Sequence, residues 1–106
     1  MADTIKVLYK QVGKTMQVKT IQNTLAACQE LVGGHIECIT LIPRCVVLIC
    51  NEEGRIRGLE ANPYMGIELV GDWFICGVCG DQFADVPSKY ESIVRSYMTI
   101  RKEKAR

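Results

Sequence analysis

The chain has 106 residues, a formal charge of +1 at pH 7, 48% hydrophobic residues and 24% charged residues. That length is enough for one domain with its own core and too little for two, and the composition excludes wholesale disorder. The near-neutral charge excludes a global electrostatic grip on nucleic acid or anionic membrane, and no apolar run approaches the roughly 18 residues that span a bilayer.

Ile5 to Gln11 alternate, with Ile5, Val7 and Tyr9 on one face and Lys6, Leu8 and Lys10 on the other, which predicts a half-buried strand. Val12-Gly13-Lys14 reads as a turn and Met16 to Ile21 as the returning strand. The period then changes. Asn23 or Thr24 can cap a helix of about nine residues carrying Leu25, Cys28, Leu31 and Val32 at helical spacing. Gly33-Gly34 ends it, since glycine takes the left-handed position after the last turn at no steric cost. His35 to Ile42 alternates again, Pro43-Arg44 makes a turn, and Cys45 to Cys50 is apolar on both faces, as a central covered strand is.

Asn51-Glu52-Glu53-Gly54 reads as a turn, Arg55 to Leu59 as a short edge-like strand, and the stretch around Asn62-Pro63 as a loop. Leu69 to Val78 is predicted as one long strand broken by Gly71-Asp72. After Pro87, a second helix carries Tyr90, Ile93, Val94, Tyr97, Met98 and Arg101 on one stripe, with Ser88 and Glu91 as a capping box. From Lys89 onward there are six Lys or Arg against two Glu, whereas residues 1–88 have seven basic against ten acidic. The order predicts one α+β domain, residues 1–106, with its core in 4–100 and a basic end, 101–106, that frays. Its mainly antiparallel sheet would have five to six strands, a short helix after the first hairpin and a C-terminal helix.

The pieces Ile5-Lys6-Val7-Leu8, Asn23-Thr24-Leu25, Glu30 to Glu37 with its Val32-Gly33-Gly34, Val46 to Gly54 with its Asn51-Glu52-Glu53-Gly54, and Gly58-Leu59 followed by Asn62 occur in one order. In that order the chain resembles, over residues 5 to 85, a family of short proteins of unknown function encoded by phages, conjugative elements and their Firmicutes hosts. It departs from the family at His35, where a tyrosine-like aromatic is usual, and at Asn62-Pro63, where Asn-Arg is usual. The resemblance implies an origin in a mobile element, and no activity comes with it.

Six cysteines with no signal-peptide-like apolar block predict a reducing, cytoplasmic setting with free thiols, and the resemblance implies that the cell is a bacterial host. Only Cys76 and Cys79 have metal-ligand spacing, and with no second pair and a single histidine they are weak zinc candidates. No cofactor is expected. Asn51, Glu52 and Glu53 could accept hydrogen bonds from a ligand's hydroxyls or simply form a solvated turn. Arg55 and Arg57, two apart on a strand, would share a face and suit phosphate, or would only charge an edge. Asn62, Tyr64 and Trp73 could read and stack a base, although Trp73 in an apolar run also fits a core. His35 has no paired nucleophile, so catalysis is not expected.

Together these residues predict a non-catalytic protein that sequesters a nucleotide-like small molecule, disarming a defence signal, with a site between the Asn51–Arg57 turn, the Asn62–Tyr64 loop and a second subunit of a homodimer or higher oligomer. An interaction protein that inhibits a host protein through the apolar edge and the Tyr90–Met98 stripe is the alternative. Nucleic-acid binding by the basic tail is a third reading, and a metal-dependent nuclease or cyclic-nucleotide hydrolase using Glu52 and Glu53 is a fourth. No membrane partner is expected.

Overall fold

The computed structural model describes residues 3–102. Alternation produces the first hairpin as read: β1 (Thr4–Lys10) and β2 (Met16–Gln22) pair antiparallel, Thr4 opposite Gln22 and Tyr9 opposite Gln17. Gly13, at φ 73°, makes the turn, and Lys14 N donates to Gln11 O at 3.1 Å. Helix α1 (Leu25–Val32) follows, with Thr24 as its N-cap: Thr24 Oγ1 accepts from Ala27 N at 3.1 Å. Gly33 ends it in the left-handed region at φ 78°. Strands β3 (Ile36–Ile42), β4 (Val46–Asn51) and β5 (Trp73–Cys79) are each antiparallel to their neighbours, and β4 is interior between β3 and β5. Short β6 (Gln82–Ala84) folds back on β5, α2 (Ser88–Arg95) comes next, and β7 (Ile100–Lys102) closes the order. The sheet reads β3-β4-β5-β1-β2-β7, with β6 alongside β5.

Strand pleat sends successive side chains to opposite faces, and both faces are covered. Ile5, Val7, Ile49, Phe74 and Cys76 pack on one side with Cys28 and Val32 of α1. Leu8, Leu48, Trp73 and Ile75 pack on the other with Val94 of α2 and with Tyr64 and Leu69 from the connection between β4 and β5. The molecule is therefore three layers deep, with a twisted sheet in the middle. That connection, residues 52–72, crosses from the α1 side of the sheet to the α2 side.

Several expectations are corrected. Among the described residues the sheet has seven strands, not five or six, because β6 and β7 are too short to show a period. Residues 52–58 are successive turns and not an edge strand, so Arg55 and Arg57 do not share a face. Leu69 to Val78 is not one strand: Val70 belongs to a miniature hairpin, bridged Ala61 to Val70 and Tyr64 to Ile67, and β5 starts at Trp73. Met65 and Gly66, at φ 40° and 86°, form its two-residue turn, the mirror-image kind that suits strand twist. Helix α2 stops at Arg95, leaving Tyr97 and Met98 in the following turn and Arg101 in β7, which pairs parallel with β2, Met16 opposite Ile100. Ser88 is the first residue of α2 and not its cap; the cap is Pro87, with no side-chain hydrogen bond, and Glu91 instead meets Arg95 at 2.7 Å and Lys6 at 3.4 Å. Of the basic end, Arg101 and Lys102 lie in β7, and residues 103–106 fall outside the described residues.

Candidate functional site

A helix leaves its last carbonyls without intrahelical partners. At the C-terminus of α1 three consecutive carbonyls are met by side chains from three other parts of the chain. The Tyr9 hydroxyl of β1 lies 3.2 Å from Leu31 O, Asn51 Nδ2 at the end of β4 donates to Val32 O at 3.0 Å, and Arg57 Nη1 donates to Gly33 O at 2.9 Å. One turn earlier, Gln29 O accepts from both Gly33 N and Gly34 N. Asn51 is buried, and its Oδ1 also accepts from Glu53 N at 2.8 Å, so one amide ties the turn to the helix. Gly34 is required here by close approach: a Cβ on it would lie 2.9 Å from Asn51 Nδ2 and 3.1 Å from Arg57 Nη1. A guanidinium at this end also suits the negative pole of the helix dipole, since α1 has no basic residue in its own last turn.

Beside this junction opens a cleft of about 590 Å³. It is lined by Glu30 to Val32 of α1 and the capping Gly33, by Tyr9 and Val12, by Asn51, by Arg57, Leu59 and Glu60, and by Gly71 and Asp72. The Tyr9 hydroxyl is also 3.4 Å from Asp72 Oδ2, and it gives its one proton either to that carboxylate or to Leu31 O. Burial, aided by the neighbouring Asp72 charge, pushes the Tyr9 hydroxyl up to about 12, so it is a proton-holding donor and not a base at neutral pH. Asp72 Oδ1 accepts from Val12 N at 2.9 Å, which fixes the carboxylate in place. Glu30 and Glu60 make no ion pair or side-chain hydrogen bond among the described residues.

A second groove, of about 400 Å³, lies on the other side of the turn against the α2-side face of the sheet. Ile39, Ile56 and Leu69 give it an apolar wall, and Glu37, Glu52, Arg55 and Glu68 rim it. Arg55 reaches Glu68 O at 3.1 Å.

The residues singled out from sequence therefore separate. Arg57 lines the large cleft, Glu52 and Arg55 border the second groove, and Asn51 lines both. Glu53 and His35 are exposed and line neither. Asn62 and Tyr64 do not line a pocket with the turn. Asn62 is buried and donates from Nδ2 to Lys10 O at 3.1 Å and Gly71 O at 2.9 Å, while its Oδ1 accepts from Lys10 Nζ at 2.9 Å. Tyr64 is buried, packs edge-on to Trp73 at 5.3 Å and shares a 2.7 Å hydrogen bond with the Tyr90 hydroxyl. Trp73 is core, its Nε1 donating to Asn62 O at 2.6 Å. Cys76 and Cys79 sit three apart on one continuous strand, which turns them to opposite faces; Cys76 is buried, with its thiol pushed up to about 12 by that burial, and Cys79 is exposed.

Tyr9, Glu30, Glu60 and Asp72 were missed by sequence reasoning. Gly71-Asp72 was visible as a break in an apolar run, but nothing local marked Glu30 or Glu60, which converge only because α1 and the 52–72 connection meet.

These features define a three-layer α+β domain with one polar cleft at a helix C-terminus. Residues 5–98 match the family model described as Domain of unknown function (DUF3846), and the chain belongs to that family. No curated protein and no solved structure matches it. No helix of the described residues is long and apolar enough to cross a membrane.

Proposed function

We propose that this domain captures a nucleotide-like small molecule in the cleft at the end of α1, without turning it over. One observation carries the reading: two exposed carboxylates without a side-chain partner among the described residues, Glu30 and Glu60, line the same cleft as Arg57 and the apolar side chains of Leu31 and Leu59. The volume falls within the roughly 300–1,000 Å³ of small-molecule sites, and few convergent polar groups over an apolar wall is their usual chemistry. In this reading the ligand's sugar hydroxyls donate to Glu30 and Glu60, its base lies against Leu31 and Leu59, and its phosphate stays at the mouth beside Arg57. Three carboxylates against one guanidinium disfavour phosphate deeper in. The Tyr9 hydroxyl holds its proton and His35 lies elsewhere, which supports binding over acid–base chemistry. In a phage or mobile element within a bacterial cytoplasm, such capture would remove a nucleotide signal from a host defence system.

Calorimetry against adenosine, adenosine monophosphate, ADP-ribose and cyclic dinucleotides tests the proposal. Binding of at least one, weakened about tenfold or more by Glu60→Ala with an unchanged melting temperature, is the expected result. Heat from none of the panel, or binding indifferent to both Glu60→Ala and Glu30→Ala, overturns it.

A further inference from the structure

The two edges of the sheet are built differently. β7 is three residues long and holds Arg101 and Lys102, and short, basic strands discourage further pairing. β3 is seven residues long, has no Lys and no Pro within it, and bears a single charge, Glu37. Among the described residues only β4 pairs with it. Glu52 N donates to His35 O at 2.8 Å, which sets the phase of the ladder. Backbone groups of His35, Glu37 and Ile39 face β4, so those of Ile36, Cys38 and Thr40 face outward.

We infer that this edge is an interface, and that β3 pairs antiparallel with β3 of a second copy of the chain across a two-fold axis. The charges select both occupant and direction. Glu37 lies near the start of β3, with Glu52 opposite the preceding His35, and Arg44 follows its end; all three are exposed. Antiparallel pairing sets each copy's Arg44 end beside the other's acidic end, whereas parallel pairing in register would face Glu37 with Glu37. The ladder of β3 with β4 is regular from Ile36 to Thr40 and slips at a bulge between Thr40 and Ile42, so the new pairing uses the regular part. A two-fold register centred on Ile39 places Ile39 against its own copy and Cys38 against Thr40, with no like charges opposed. Cys38 and Thr40, whose outward amides and carbonyls would form the new ladder, also have exposed side chains. Ile42, 40% exposed, and Ile56, 87% exposed at the adjoining groove, supply apolar surface on the two faces of the joint. No residue of β3 lines the cleft at α1, so the contact stands apart from what that cleft holds.

Sedimentation equilibrium of the full chain is the test. The wild type is expected to be a dimer. Thr40→Lys, at an exposed position, should weaken dimerisation about tenfold or more with an unchanged melting temperature, as a lysine on a strand edge does. Arg101→Glu, on the opposite edge, should leave the dimer unaltered. As a second route, Ile39→Cys should oxidise to a dimer linked through the two introduced thiols, since Ile39 forms a close pair with itself. A wild type that stays monomeric at its highest soluble concentration overturns the inference. So does a dimer that Thr40→Lys leaves unchanged, or an Ile39→Cys chain whose only linkages map to the native cysteines.

Discussion

Helices α1 and α2 are both eight residues long, yet they are finished in opposite ways. α1 has side-chain or glycine punctuation at each end, and its last carbonyls are met by Tyr9, Asn51 and Arg57 from distant parts of the chain. α2 begins at Pro87 with no side-chain cap, and its last carbonyls are met by the chain that follows directly: Ser96 N donates to Ile93 O, Ser96 Oγ to Ser92 O, and Tyr97 N and Met98 N to Val94 O. A helix closed by its own chain needs little from its surroundings. One closed by three other segments fixes those segments relative to one another, and a defined cleft sits at the end so built. The candidate site is therefore a by-product of how α1 is terminated, and Asn51 and Arg57 serve the fold before they serve any ligand.

The largest break in this comparison is Asn51→Ala. It strands Val32 O and Glu53 N together at a buried position, and chemical denaturation should show a loss of about 2–3 kcal/mol. A loss under about 0.5 kcal/mol would mean that the α1 terminus does not depend on it. Thr24→Ala removes the hydroxyl that accepts from Ala27 N and should cost about 1 kcal/mol by the same measurement. Arg57→Ala, at an exposed side chain, should cost about 0.5–1 kcal/mol, less than Asn51→Ala, because water can replace the guanidinium at Gly33 O.

The smallest effect sharpens the contrast from the α2 side. The hydrogen bond from Arg95, with help from Lys6, holds the Glu91 carboxyl below its ordinary range despite opposing burial. A carboxyl depressed in the folded state stabilises above its unfolded value, and that contribution disappears as pH falls through the folded value. Glu91→Gln should therefore lower the melting temperature slightly at pH 7, by the equivalent of a few tenths of a kcal/mol. It should also flatten the acid limb of the stability curve below about pH 4.5. An identical acid limb in the variant would show that the Glu91–Arg95–Lys6 group contributes nothing.

The candidate site was half legible. Asn51 and Arg57 were found through the turn that carries them, and both line the cleft. Asn62 and Tyr64 read as ligand-facing in sequence because polar and aromatic residues in a loop usually are. Here the loop folds into a miniature hairpin that buries them against Lys10, Trp73 and Tyr90. Glu30 and Glu60 carried no local signal.

By itself the sequence determined what acts within a few residues: the alternation of β1 and β3, the position of α1 between Thr24 and Gly33, and the interior place of the doubly apolar β4. Tertiary structure alone decided that α2 stops at Arg95, so that Ile100 to Lys102 can lie parallel to Met16 to Val18, and that Arg55 and Arg57 part to opposite sides of a turn. The reason is range. Periodicity and capping are set by neighbours along the chain, whereas the partners of a free carbonyl or an unpaired strand are supplied by segments that only folding brings within about 3 Å, the reach of a hydrogen bond.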